Sequence, residues 1–179
     1  MRAGLALLAL GIAALLVQGG LATFLPPPYC PDLAFLVVIC IGLVWDHPVA
    51  GLVVASLLGY SADLLSGSLF GQHAFLRLLV FVGARVASRR VNIRGSLPLA
   101  CFAAGFTLVY GFSLLAVTDF FTGVSGLSWG VMGDLLRHAL VNGLCVSFVL
   151  ALTQRLLGWL DEAESARRPM RLEPRQRAA

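Results

Sequence analysis

Long apolar runs without charge are the feature that most constrains this chain. Residues 3–24 and residues 97–118 each form a run of 22 residues with no charged side chain. About 20 such residues suffice for a helix to cross the ~30 Å hydrocarbon core of a bilayer. The mean hydropathy is +0.88 and only 12% of residues are charged, about half the share in soluble domains. The sequence therefore predicts an all-α polytopic membrane protein with no separate soluble domain.

Prolines and glycines divide the apolar sequence into about six predicted transmembrane helices in one bundle. Four prolines in residues 25–32 prevent a helix there, and Pro48 separates the second helix from the third. Residues 33–65 as one helix would be roughly 50 Å long, so we expect a helical hairpin instead. The sixth helix begins near Trp129 or Gly133. Residues 1–160 form one domain whose predicted helices are 3–24, 31–45, 49–65, 71–87, 97–118 and 133–157.

The arginines predict an orientation in the membrane. With six helices and both termini in the cytoplasm, eleven of the thirteen arginines are cytoplasmic and none lies in the outer loops. This is the asymmetry that the positive-inside rule describes. Residues 161–179 are expected to form a disordered basic tail that binds anionic lipids, and no nucleic-acid partner is expected. The eleven are Arg2, Arg85, Arg89, Arg90, Arg94, Arg155, Arg167, Arg168, Arg171, Arg175 and Arg177.

Two predicted helices carry a face of small residues that repeat every four positions. Such a face lets another helix backbone approach closely, which is how helices pack in lipid. The third helix continues this face to Asp63, after which a turn rich in serine and glycine ends it. The faces consist of Gly51, Ala55 and Gly59, and of Ala139, Gly143, Ser147 and Ala151; the turn consists of Ser66, Gly67, Ser68 and Gly71.

Four charged residues are predicted to share a layer in the outer half of the bundle. Counting along the helices places Asp63 and Arg77 each about 9 Å from the outer edge. The charges either pair internally and fix helix register, or line a cavity for a ligand or a partner's helix. The predicted cluster consists of Asp63, Arg77, Asp134 and Arg137, with His73 and His138 as further members.

No motif indicates catalysis or a bound cofactor. The histidines have no metal-ligand spacing, no two of the four cysteines form a CxxC pair, and nucleotide-binding and hydrolase motifs are missing. An aspartyl peptidase dyad of Asp63 and Asp134 would share one proton, but an arginine predicted near each acid would keep both ionised. The sequence therefore predicts a protein that is not an enzyme and has no cofactor.

The stretch from Gly51 to Gly71 resembles the rod shape-determining protein MreD family. The resemblance rests on a glycine-rich helix followed by Asp63-Leu64-Leu65-Ser66-Gly67-Ser68 and then Gly71. Upstream, Pro31-Asp32-Leu33 and the helical hairpin also fit the family, as do the chain length and the basic loop after the fourth helix. Arg77 departs from the apolar or aromatic residue that is frequent there.

The resemblance implies a non-enzymatic scaffold in the bacterial inner membrane. Such a protein binds the single-pass membrane protein MreC and helps couple MreB filaments to the enzymes of peptidoglycan synthesis in the cell-elongation complex. The family also resembles, in fold, the six-helix substrate-binding components of vitamin uptake transporters. A small-molecule binding component of such a transporter is the alternative function.

Overall fold

A computed structural model describes residues 2–67, 69–90, 95–123, 126 and 128–165. These residues form six α-helices and one short 3₁₀ turn, Pro27–Tyr29, and contain no β-strand. The prediction of an all-α chain is therefore confirmed. The helices are α1 (Arg2–Leu21), α2 (Leu33–Val44), α3 (Pro48–Ser66), α4 (Gln72–Arg90), α5 (Ser96–Thr122) and α6 (Trp129–Ser165).

Five segments are long and apolar enough to cross a membrane: α1, α3, α5, α6, and the 3₁₀ turn together with α2. Length and composition therefore indicate a multi-pass membrane protein. The helix that does not qualify is α4, which carries four arginines in 19 residues.

Helix α2 is the central helix of the bundle. The other five form a closed ring around it, in which α1 contacts α3, α3 contacts α4, α4 contacts α5, α5 contacts α6, and α6 contacts α1. All nine residues 34–42 of α2 are buried. Its sequence, LAFLVVICIGLV, has no polar side chain on any face, which is the pattern of a helix covered on all sides.

The central helix is short because the chain folds back into the bundle before α2 begins. Twelve residues give α2 a length of about 18 Å. Cys30 and Pro31 are buried, and the Cys30 thiol contacts the carbonyl oxygen of Gln18 in α1 at 3.7 Å. Non-helical backbone is tolerated at membrane depth only where protein surrounds it, and that condition is met here.

The bundle has two distinguishable ends, named here by a residue at each. At the Gly67 end, α3 finishes and α4 begins, and Gly67 adopts a left-handed conformation with φ 63° as the C-cap of α3. At the Arg89 end, α4 finishes with Arg89 and Arg90. The guanidinium of Arg85 donates there to the carbonyl oxygen of Trp45, 2.6 Å away, beside the C-terminus of α2.

Helix boundaries differ most from prediction at α5 and α6. The predicted end of α5 at residue 118 is wrong, because the helix continues to Thr122 and Gly123 caps it with φ 68°. The sixth helix begins at Trp129, not at residue 133, because the Ser128 hydroxyl accepts from the Val131 N–H and caps it. Residues 161–165 are helical, not disordered, since they include good helix formers. Residues 166–179 lie outside the described residues.

Helices α3 and α4 approach most closely at Gly59. A methyl group at this position would lie 2.4 Å from the Cα of Ala74 and 2.6 Å from the carbonyl oxygen of His73. Both are backbone atoms, so the two helices would have to move apart to admit a side chain. Glycine is therefore required at this crossing.

Replacing Gly59 with alanine should lower the thermal unfolding midpoint of the detergent-solubilised protein. Overpacking of this kind costs about 1–3 kcal/mol. The matched control is Gly105→Ala in α5, where a methyl group meets nothing within 4 Å, and alanine favours the helix. Equal midpoints for the two variants would show that the α3–α4 contact is looser than the structure has it.

Candidate functional site

A fully buried arginine lies at the centre of the polar network. Arg77, on α4, is 1% exposed. Its Nη2 atom donates to both carboxylate oxygens of Asp32, each 3.1 Å away, and its Nη1 atom donates to the carbonyl oxygen of Leu58 in α3 at 3.1 Å. One side chain therefore connects α4 with α3 and with the start of α2.

Asp32 holds the N-terminus of the central helix. Its carboxylate accepts from the N–H of Phe35 at 2.9 Å, as an N-cap does. Its own N–H donates to the side-chain oxygen of Asn142 in α6, also at 2.9 Å. The Asn142 amide donates to the Thr107 hydroxyl in α5 at 3.2 Å and lies 3.3 Å from Nε2 of His138. The network thus extends through α5 and α6.

Another carboxylate, that of the fully buried Asp63, holds the N-terminus of α4. It has no exposed surface and accepts from three backbone N–H groups, those of Gly71, His73 and Ala74, at 2.8–3.1 Å. These are donors that the first turn of a helix leaves unsatisfied. Charged acceptors at a helix N-terminus also interact favourably with the helix dipole.

The first turn of α4 is hydrogen-bonded to α5 as well. The ring nitrogen Nδ1 of His73 is hydrogen-bonded to the Tyr110 hydroxyl. The amide of Gln72 donates to the carbonyl oxygen of Leu114 and to the Thr118 hydroxyl, both at 3.1 Å. All polar side chains in this first turn therefore serve contacts between helices.

The charges of the network balance once the helix ends are counted. Two carboxylates and one guanidinium give a formal charge of −1. Each carboxylate sits at a helix N-terminus, which carries roughly half a positive charge. The sum is close to zero, so no bound cation is needed to neutralise the network.

The structure corrects the predicted polar cluster in two ways. The carboxylate that pairs with Arg77 is that of Asp32, because Asp63 is occupied by the start of α4. Asp134 and Arg137 lie outside the buried network: they pair with each other at 2.6 Å, and each side chain is 53% exposed. Arg137 precedes Asn142 by five residues, which places it about 140° around α6 from the buried face.

The network also includes four residues that were not predicted as site residues. They are Asp32, Thr107, Tyr110 and Asn142. A signal was present for Asp32, since an aspartate directly before an apolar run is typical of a helix N-cap. The three others are single polar residues in α5 and α6, and their pairing depends on how the helices are placed around α2.

The predicted small-residue faces differ in their surroundings. Gly51 lies against the ring of Phe81 in α4, and Ala55 is buried. Gly143 lies against α5, where a methyl group would be 3.0 Å from the Ala100 carbonyl oxygen. Ala139 is buried, Ser147 is half-buried, and Ala151 is exposed.

The predicted serine–glycine turn lies between α3 and α4. Ser66 is the last residue of α3, and Gly67 and Gly71 both have positive φ, 63° and 87°. Left-handed backbone of this kind favours glycine. Ser68 lies outside the described residues.

Neither a metal site nor an acid dyad gains support from the geometry. Within the described residues, no group of three or more histidine, cysteine or acidic side chains could hold a metal ion. Asp63 is buried against backbone N–H groups, whereas Asp134 is exposed and bound to Arg137. Each acid has its own partners, and a proton shared between them has no support.

Comparison with known proteins gives no match: no protein-family model, no curated protein and no solved structure is similar to this chain.

Replacing Arg77 with leucine should strongly destabilise the bundle. Removing one partner of a buried ion pair costs about 3–5 kcal/mol, because the other charge is left uncompensated. Thermal unfolding in detergent would show this as a large drop in midpoint. Arg155→Leu is the control, since Arg155 is an exposed arginine of α6.

Asp32→Asn in the Arg77→Leu background tests the pairing itself. Asparagine still caps α2 and removes the unpaired charge, so the double variant should be more stable than Arg77→Leu alone. A double variant whose loss equals the sum of the two single losses would show that the two side chains do not interact.

Proposed function

We propose that this protein is a non-enzymatic scaffold of the bacterial cell-elongation complex, similar to the MreD family. The observation that carries the proposal is the role of the stretch from Gly51 to Gly71, on which the resemblance rests. In that stretch Gly59 admits the backbone of α4, and Asp63 caps α4. These residues have structural roles, as a scaffold requires.

The distribution of polar groups also supports a scaffold. The carboxylates and amides of the network are bound to one another, to hydroxyl groups or to backbone groups. Both terminal nitrogens of the Arg77 guanidinium are bound, and among the described residues its Nε atom has no partner. A catalytic or transport site would need polar groups directed at a ligand. In this proposal, the MreC-like partner is met by helix faces and short loops, and MreB filaments and wall-synthesis enzymes are reached indirectly.

We further propose that all six helices cross the inner membrane. The 19 residues of α4 span about 28 Å, and α4 lies in the ring between α3 and α5. At the Gly67 end, Trp129 is 92% exposed, and tryptophan is enriched at membrane interfaces. At the opposite end are Arg89 and Arg90, so we place the Arg89 end in the cytoplasm.

Reporter fusions test this topology. Alkaline phosphatase fused after Gly123 should be active, because that loop lies outside, and the same reporter fused after Arg90 should be inactive. Green fluorescent protein at the C-terminus should fluoresce, as it does only in the cytoplasm. Activity after Arg90 would reverse the orientation.

Depletion in the native host tests the function. Cells that lose this protein on rich medium should widen and round before growth stops, because wall synthesis would no longer be directed along the cell. Microscopy measures the width, and the wild-type gene should restore it. Cells that keep their width but require a vitamin supplement would instead indicate the transporter alternative.

The Gly59→Ala and Gly105→Ala pair links that phenotype to the bundle. Gly59→Ala should complement the depletion poorly at raised temperature, whereas Gly105→Ala should complement it fully. Failure of both variants at equal protein levels would contradict a role for the α3–α4 contact.

A further inference from the structure

One ion pair faces away from the bundle. Asp134 and Arg137 join through a single hydrogen bond, from Nη1 to Oδ1 at 2.6 Å, and half of each side chain is exposed. Ionisable side chains in membrane helices almost always face the bundle interior or a water-filled cavity. Asp63 and Arg77 follow that rule, and this pair departs from it.

The pair lies at the level of the outer edge of the hydrocarbon. Trp129 and Trp159 are both exposed, at 92% and 75%, and tryptophan favours the membrane interfaces. The 30 residues between them span about 45 Å, which matches the ~40–45 Å bilayer with its headgroups. Arg137 is then about 12 Å below Trp129, or roughly 5 Å inside the hydrocarbon.

The pair leaves hydrogen-bonding capacity unused. Among the described residues, Nη2 of Arg137 and Oδ2 of Asp134 have no hydrogen-bond partner. Each patch thus presents free N–H donors and a free carboxylate oxygen at the outer edge of the hydrocarbon. Such groups are costly in lipid unless a partner binds them.

The same face of α6 is smooth enough for a second helix. Gly133 lies on it one turn before Arg137, and Gly130 lies two turns before Arg137. Among the described residues, a methyl group at Gly130 would meet only the Ser128 hydroxyl, at 3.8 Å, and one at Gly133 would meet only Nη1 of Arg137, at 3.9 Å. Small residues at such a face allow helix backbones to approach closely.

We propose that a second copy of this chain docks on this face, with the two α6 helices crossing near Gly133. A two-fold axis along the membrane normal would bring Nη2 of each Arg137 to Oδ2 of the other copy's Asp134. The patch is self-complementary in charge and in hydrogen bonding, as an isologous interface requires. Crossing at this end also separates the two Arg155 side chains, which lie about 27 Å further along the helix.

Energy transfer between copies in liposomes tests the dimer. Full-length chains carrying donor or acceptor fluorescent proteins at their C-termini would be reconstituted together in vesicles of phosphatidylethanolamine and phosphatidylglycerol. Transfer should persist as lipid is added, because a specific dimer is not a crowding effect. Transfer that vanishes on dilution would mean that lipid or another protein covers the face, and would overturn the proposal.

Charge reversal makes the test specific. Arg137→Asp gives each copy two acids at the patch and Asp134→Arg gives two bases, so each variant alone should lose transfer. Mixing the two variants should restore it, and that restoration also shows that both are folded. Variants that each transfer as well as the wild type, or a mixture that fails to recover, would refute the reciprocal pairing.

A steric variant provides an independent readout. Gly133→Leu should abolish transfer by holding the helices apart. Gly105→Leu is the matched control, because Gly105 has open space around it on α5, and it should leave transfer unchanged. Equal transfer for these two variants would place the contact elsewhere. None of these measurements depends on cell shape, so the dimer and the scaffold function can fail separately.

Discussion

The contact between Arg77 and Asp32 is the constraint on which the rest of the bundle depends. It joins the second turn of α4 to the residue directly before α2. Arg77 also donates to the carbonyl oxygen of Leu58 in α3, the neighbouring ring helix. Asp32 in turn binds Asn142, so the same contact fixes α6. Because α2 is only about 18 Å long, its start lies inside the bundle and its unsatisfied N–H groups cannot reach water. The Asp32 carboxylate satisfies the N–H of Phe35, and the arginine stabilises the carboxylate.

Both acids of the network, the partly buried Asp32 and the fully buried Asp63, solve the same physical problem. In hydrocarbon, a helix that begins below the surface exposes backbone donors, each of which costs several kcal/mol if unpaired. Asp32 serves α2 and Asp63 serves α4. The two helix dipoles then offset most of the charge that one arginine leaves uncompensated. The charges of the network are therefore balanced without a bound ion, which favours a structural role.

The sequence predicted the existence of each helix but not which one lies at the centre. Apolar runs broken by prolines located all six helices, since those signals are local. Residues 33–45 combined the highest apolar content with the shortest apolar run. Both properties fit the buried central helix. The short run alone, however, had several explanations at the level of the sequence. For a related reason, the sequence did not identify the partner of Arg77. Asp63 lies nearer to it in sequence and at a similar depth, and only the folding back of residues 22–32 brings Asp32 closer.

In the six-span arrangement that we propose, the insertion of α4 depends on its neighbours. An arginine at the centre of a membrane helix costs roughly 2.5–3.5 kcal/mol on insertion scales, and hydropathy alone does not identify α4 as a span. Its partner carboxylate lies on a segment that is synthesised earlier, so α2 and α3 can be in place when α4 arrives. The helix that carries the key ion pair is thus the one whose insertion most requires that pair. Arg137, at a similar depth on α6, has no such support from inside the bundle, because it points the other way. The direction in which a charged side chain points therefore decides its role. Arg77 faces inward and holds the fold together, whereas the proposed dimer contact uses Asp134 and Arg137, which face outward.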